Sequence, residues 1–154
     1  MENNEKVCLK GHYKFTIRDK KTGKIKRVYE YENLIPTCGR TLLANQLTDA
    51  SPTNDPRVNY VALGTGTTAP ANSDTQLETE VFRNTVASQT NNNNIAYITG
   101  FIAATEDDGT YRECGLFADG GAGADTGVLV SHVAINVTKS NTETLTIDWT
   151  ITIS

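Results

Sequence analysis

The sequence predicts a mainly β protein, an antiparallel β-sandwich with one short flanking helix and an N-terminal β-hairpin. Three observations carry this expectation. The 154 residues include 23 Thr and 14 Asn but one Met; threonine suits pleated, half-buried surfaces and asparagine suits turns. Apolar and polar residues alternate with period two, most clearly at Leu145, Ile147, Trp149, Ile151 and Ile153, the pattern of a strand with one buried face. Such segments recur at short intervals with turn residues between them, as in a sandwich. A domain of this length buries about 70% of its unfolded surface, so no disulfide or metal staple is required.

In chain order, residues 7–17 place Val7, Leu9, Tyr13, Phe15 and Ile17 on one face and Cys8, Lys10, His12, Lys14 and Thr16 on the other. Asp19-Lys-Lys-Thr-Gly23 reads as a turn, and residues 25–32 as the return strand, its Ile25, Arg27, Tyr29 and Tyr31 face the more aromatic. A helix is expected over 38–48, with Thr37 as N-cap and a narrow stripe through Leu43 and Leu47 that places it on the flank of a sheet. Residues 49–57 form a loop by composition. Val58–Leu63 is a strand leading into a long polar loop from Gly64 to Thr75. Further strands are expected within Leu77–Ser88, Ile95–Ala104, Tyr111–Ala118, Gly127–Val137 and Thr144–Ile153, with a turn at Asn91–Asn94. Trp149 is assigned to the core.

Charge divides the chain. Residues 1–32 carry nine Lys and Arg against five acids, and residues 33–154 carry five against 13. The whole is read as one compact domain with two parts: a basic hairpin over 1–32 that serves as a docking element, and a sandwich module over 33–154. Lys20, Lys21, Lys24, Lys26 and Arg27 are the candidate docking residues. The overall acidity and the lack of a nucleic-acid motif argue against nucleic acid as partner. No apolar run approaches the ~20 residues of a membrane span, and no secretory signal is visible at the N-terminus. Cys8, Cys38 and Cys114 are scattered without CxxC spacing, as expected of three buried thiols.

Motifs that invite a chemical reading are each outweighed. Gly64-Thr-Gly-Thr-Thr follows a strand as a phosphate loop does, but the helix and lysine such a loop needs do not follow. Glu106-Asp107-Asp108-Gly109 lacks the alternating oxygen spacing of a calcium loop and reads as a turn. His12 and His132 are the two histidines; a Cys114–His132 pair is conceivable but carries no activation signature. No cofactor or metal site and no catalytic residue is assigned.

The stretch from Asn33 onward resembles a recurrent module of tailed-bacteriophage structural proteins of tail fibres, baseplates and other virion parts. The matching pieces are Asn33-Leu-Ile-Pro-Thr-Cys-Gly39 with Leu42, Leu43, Ala44 and Leu47; Val61-Ala-Leu-Gly-Thr-Gly-Thr-Thr-Ala-Pro-Ala-Asn-Ser-Asp74 with Leu77-Glu-Thr-Glu80 and Arg83; Glu113-Cys-Gly-Leu-Phe117 with Gly120-Gly121; and Leu129–Ile135, Lys139, Thr144-Leu-Thr-Ile and Trp149–Ser154. Together they span about four-fifths of the chain. The resemblance implies a compact β-rich domain, self-association and no catalysis. Cys38, Cys114 and the lysine-rich hairpin depart from it.

The function expected is therefore that of a non-enzymatic virion structural protein, made in the host cytoplasm. It would be a tail or baseplate component or a capsid decoration subunit, acting through other copies of itself and other virion proteins. The competing expectation is a host-surface or carbohydrate-binding module using Tyr60, Tyr97 and Tyr111. A small hydrolase built on His132 or Cys114 is the third.

Overall fold

The computed structural model describes residues 6–154; the first five residues of the expected docking part lie outside the described residues. The elements are β1 (Leu9–Asp19), β2 (Ile25–Glu32), α1 (Thr37–Thr48), β3 (Val58–Gly64), β4 (Glu80–Thr85), β5 (Ser88–Asn92), β6 (Ile95–Ile102), β7 (Gly109–Ala118), β8 (Val128–Lys139) and β9 (Glu143–Ile153). They form two antiparallel sheets, one of five strands in the order β2-β1-β9-β6-β5 and one of four in the order β4-β3-β7-β8. The expected β-sandwich with one flanking helix and an N-terminal hairpin is what the chain adopts. Among the described residues no helix is long and apolar enough to cross a membrane.

Period-two patterning builds the interior. Tyr13, Phe15 and Ile17 of β1 and Leu145, Ile147, Trp149 and Ile151 of β9 are all buried. They meet Val61, Leu63, Cys114, Leu116, Val133, Ile135 and Val137 of the facing sheet in one core. The β1–β2 turn forms because the Asp19 carboxylate accepts from the Lys21 and Thr22 amides at 2.9 and 2.8 Å, and Gly23 supplies the positive φ of 69° that a side chain resists. Tyr29 and Tyr31 pack on the core, as their face of β2 predicts.

Four expectations are corrected. The strand expected within Leu77–Ser88 is two strands, because the chain passes from the four-stranded sheet to the five-stranded one between Thr85 and Ser88; its register then continues through Asn91 and Asn92, so the turn narrows to Asn93 and Asn94. The helix begins at Thr37, with Pro36 in the capping position and no side-chain cap. Proline is favoured where a helix starts because its missing N–H would be unpaired there anyway. The apolar stripe does not run the length of α1: Gly39 and Leu42 are buried while Leu47 is 88% exposed, since contact with β8 is made by the first half. Finally, Cys8 is exposed and Cys38 half-buried, so Cys114 alone is a buried thiol.

The four-stranded sheet is covered on part of its outer face as well, while Ala134, Asn136 and Thr138 of β8 stay exposed. Its outer face carries a second, smaller core of Ala62, Leu77, Phe117 and Leu129, with Cys38 and Tyr60 packed against it. Gly115 makes room for Leu77, whose side chain lies where a β-carbon at 115 would sit within 2.8 Å. The long loop between β3 and β4 thus covers this sheet, and what holds it there is polar.

Candidate functional site

That loop is anchored on Glu113, a carboxylate 1% exposed on the outer face of β7. Its Oε1 accepts from the Gly66 amide at 3.0 Å and the Thr79 amide at 2.8 Å. Its Oε2 accepts from the Glu78 amide and from His132 Nε2, both at 3.0 Å. Four donors on one buried carboxylate meet the requirement that a charge out of water be fully hydrogen-bonded. The Gly-Thr-Gly run is therefore an anion cradle of a sort, and its anion is part of the chain. Gly66 is glycine because a β-carbon there would collide with Glu113 Oε1 and with the Glu78 side chain.

His132 is fixed at both ends, its Nδ1 lying 2.8 Å from Asp74 Oδ2. Each ring nitrogen thus faces one carboxylate oxygen, and the carboxylates of Asp74 and Glu113 fix the plane of the ring from both sides. A hollow of about 330 Å³, lined by Thr68, Asp74, Glu78 and His132 among others, opens beside the ring. Cys114 does not meet His132. Its side chain lies in the central core while His132 lies on the outer face, and Cys114 pairs across the strands with Val133. Burial, aided by neighbouring Glu113, pushes the Cys114 thiol well up, which keeps it from the thiolate form that reacts. Cys38 contacts the Asp74 and Leu129 carbonyls at 3.2 Å, and burial raises its thiol too.

A second tie lies on the same face. Arg83 and Glu80 pair through two parallel hydrogen bonds with both side chains buried. The Arg83 guanidinium is stacked 4.7 Å from the Phe117 ring centre and 5.4 Å from that of Tyr60. Its remaining nitrogen donates to the Gly121 carbonyl and to the Thr126 carbonyl and hydroxyl at 2.9–3.1 Å, clasping the β7–β8 loop. A third tie joins the two sheets: Tyr13 and Asn33 both donate to Ser131 Oγ, at 2.9 and 2.6 Å, and Trp149 Nε1 donates to Asn33 Oδ1 at 3.2 Å.

The five candidate docking residues separate into two groups. Lys20, Lys21 and Lys24 are exposed at the hairpin tip. Lys26 and Arg27 are held by the chain's own Glu143, at 2.7 and 2.8 Å. This arrangement follows from β1 pairing with β9, which brings Asp19 opposite Glu143 and puts that acid beneath the start of β2. Burial raises the Glu143 carboxyl, but hydrogen bonds from Lys26, Arg27 and the Ser140 amide more than offset it and leave it at about 2. A carboxyl depressed in the fold stabilises above its unfolded value near 4.5 and loses that contribution as pH falls toward 2. The shift corresponds to on the order of 3 kcal/mol. Urea unfolding of the protein and of E143Q between pH 6 and pH 2 should show a stability gap that closes below about 4.5; a gap independent of pH would refute the assignment.

Other sequence candidates disperse. Glu106 accepts from the Ala103 amide and from Asn84, and Asp107 from the Tyr111 hydroxyl, so the acidic run serves three separate partners. Lys139 is buried, with its ammonium donating to the Asp107 carbonyl at 2.8 Å; burial lowers its pKa while Asp108, Asp107 and Glu106 hold it up. Of the three tyrosines, Tyr111 is 1% exposed and Tyr60 lies beneath Arg83, leaving Tyr97 exposed on the open face of β6.

Searches of protein-family models, curated proteins and solved structures give no match to the chain. The functional reading therefore rests on these residues. Sequence reasoning missed Glu113, Glu80 and Glu143 as anchors. No local signal set them apart: Glu113 follows Arg112, Glu80 lies two residues from Glu78 and Glu143 sits between two threonines, as acids on a solvent-facing strand do.

Proposed function

We propose that the chain is a non-enzymatic structural protein of a bacteriophage virion, a tail or baseplate component or a capsid decoration subunit. One observation carries the reading: the residues that resemble the phage module converge on ties that hold loops to sheets. Gly66, Glu78 and Thr79 meet at Glu113, and Glu80 and Arg83 clasp the loop containing Gly121. The polar groups with the most specific chemistry are thus spent internally, on rigidity. That suits a part that must persist without turnover, and it supports a scaffold more than a reaction centre.

Docking on a neighbouring virion protein falls to the hairpin tip. Lys20, Lys21 and Lys24 are exposed there, so reversing all three to glutamate alters the stability by no more than about 0.5 kcal/mol per site. Particles assembled with this variant are expected to lack the protein, as read by gel analysis of purified virions, while its thermal unfolding stays near that of the parent. Normal incorporation would overturn the docking role. Lys26 and Arg27 are left unchanged because altering them would disturb Glu143. The carbohydrate reading keeps Tyr97 alone among its aromatic candidates, and a hollow of about 600 Å³ beside α1, where Leu42, Pro52 and Val128 join amides, hydroxyls and carboxylates, has no aromatic ring in its lining.

A further inference from the structure

Three turns share one end of the sandwich. Strand β1 ends where β9 begins, with Asp19 opposite Glu143. Strand β6 ends opposite Leu145 of β9, and β7 begins opposite Lys139 of β8. The hairpin tip, the Ser140–Thr142 turn and the loop between β6 and β7 therefore project together. Hydrogen bonds fix their order. The Lys20 amide donates to the Thr142 carbonyl at 2.9 Å on one side of the central turn. Lys139 Nζ donates to the Asp107 carbonyl at 2.8 Å on the other.

Charge follows the same order. Lys20, Lys21 and Lys24 are exposed on the hairpin side. Glu106 and Asp108 are exposed on the loop side, with Asp107 half-buried between them. Asp19 in the hairpin turn and the buried Lys139 beneath the loop offset only part of each set. Positive charge thus remains on one flank and negative charge on the other. Between the flanks, Asn141 and Thr142 are exposed and uncharged.

We infer that this end is a self-complementary contact: the hairpin tip of one copy lies on the Glu106–Asp108 loop of a second, and the reverse. The charge pattern selects the occupant. A uniformly acidic partner would meet the lysines favourably but set its charge against Glu106 and Asp108, and like charges brought together cost affinity. The fit requires a surface that is negative over the tip and positive over the loop, at the same spacing. The chain's own end is such a surface once it is turned about a two-fold axis through the central turn, which gives an isologous dimer. At that axis Asn141 and Thr142 meet their own copies, and amide and hydroxyl groups both donate and accept. Exposed ion pairs are individually weak and are screened by salt, so the dimer is a weak, salt-sensitive one. The inference rests on the docking role proposed for Lys20, Lys21 and Lys24, whose partner it names.

The test is sedimentation velocity over a wide concentration series at about 0.01 M and about 1 M salt, where screening lengths are about 30 Å and about 3 Å. Dimer is expected at low salt, and its affinity should fall roughly tenfold or more at high salt. One variant reverses the tip: Lys20→Glu, Lys21→Glu and Lys24→Glu. A second, Thr105→Lys with Asp108→Lys, reverses the loop and leaves the hydrogen bonds of Glu106 and Asp107 in place. Each alone should be monomeric, and mixing the two should restore a heterodimer. A parent that stays monomeric at low salt overturns the proposal, as does a dimer indifferent to salt or a pair of monomeric variants that fail to combine. Should a variant not fold, the salt dependence of the parent decides, with amide exchange slowed over residues 20–24 and 105–109 together at low salt only. A monomeric parent beside loss of the tip variant from virions would leave the docking role standing with another partner. A salt-sensitive, complementing dimer beside normal incorporation of the tip variant would remove the virion docking role instead.

Discussion

Replacing Glu113 of β7 by alanine is expected to destabilise the protein strongly by releasing the loop that covers the four-stranded sheet. The substitution leaves the Gly66, Glu78 and Thr79 amides and one His132 nitrogen without their acceptor. A buried donor left unpaired costs about 1–3 kcal/mol. Because residues around it in the loop are exposed, water reaches part of what is freed, and the net loss is about 4 kcal/mol. In a domain of this size that lowers the melting temperature by roughly 10 °C. Hydrogen exchange should show the three amides losing protection together while β1 and β9 keep theirs. A melting temperature within about 2 °C of the parent would mean that the apolar contacts of Leu77 hold the loop without the carboxylate.

The second large effect is expected at Arg83. Substitution by methionine keeps much of the stacking surface between Tyr60 and Phe117 but leaves Glu80 as a buried charge without its partner. Breaking one side of a buried pair costs about 3–5 kcal/mol. Removing both charges, in Arg83→Met with Glu80→Leu, should recover a good part of that loss, because the desolvation of the pair is removed with its attraction. Arg83→Lys should not rescue: an ammonium has neither the planar fork that grips Glu80 nor the reach to clasp Gly121 and Thr126 at once. Chemical unfolding of the parent, Arg83→Met, Glu80→Leu and the double variant measures the coupling directly. Additive losses would show that Arg83 acts through its rings alone.

Strand positions, the hairpin and the inner core were legible because their cause is local. Alternation along residues 145–153 states which side chains face inward whatever the strand pairs with. So it is that Trp149, Tyr13, Phe15 and Ile17 lie where the pattern puts them. The end of the strand begun at Glu80 was not legible, since nothing in Thr85–Ser88 says that the chain changes sheets there. Nor was the exposure of Leu47: periodicity identifies a stripe, but the length of that stripe in contact depends on where the neighbouring sheet stops.

The anchors were beyond local reasoning for a related reason. Gly66 and Glu113 are 47 residues apart, and Arg27 and Glu143 are 116 apart. A glutamate on a strand has the same local signature whether it faces water or four donors. The charge division along the chain shows the same limit: the lysine-rich hairpin and the acidic remainder are separate in sequence, yet Lys26 and Arg27 close on Glu143. Amino-acid order alone thus determined the strands, their inward faces and the class of fold, because burial periodicity is a property of neighbouring residues. Which acids are buried and which lysines remain for a partner were settled when distant strands paired, since the cost of a buried charge depends on what the fold brings within hydrogen-bonding distance of it.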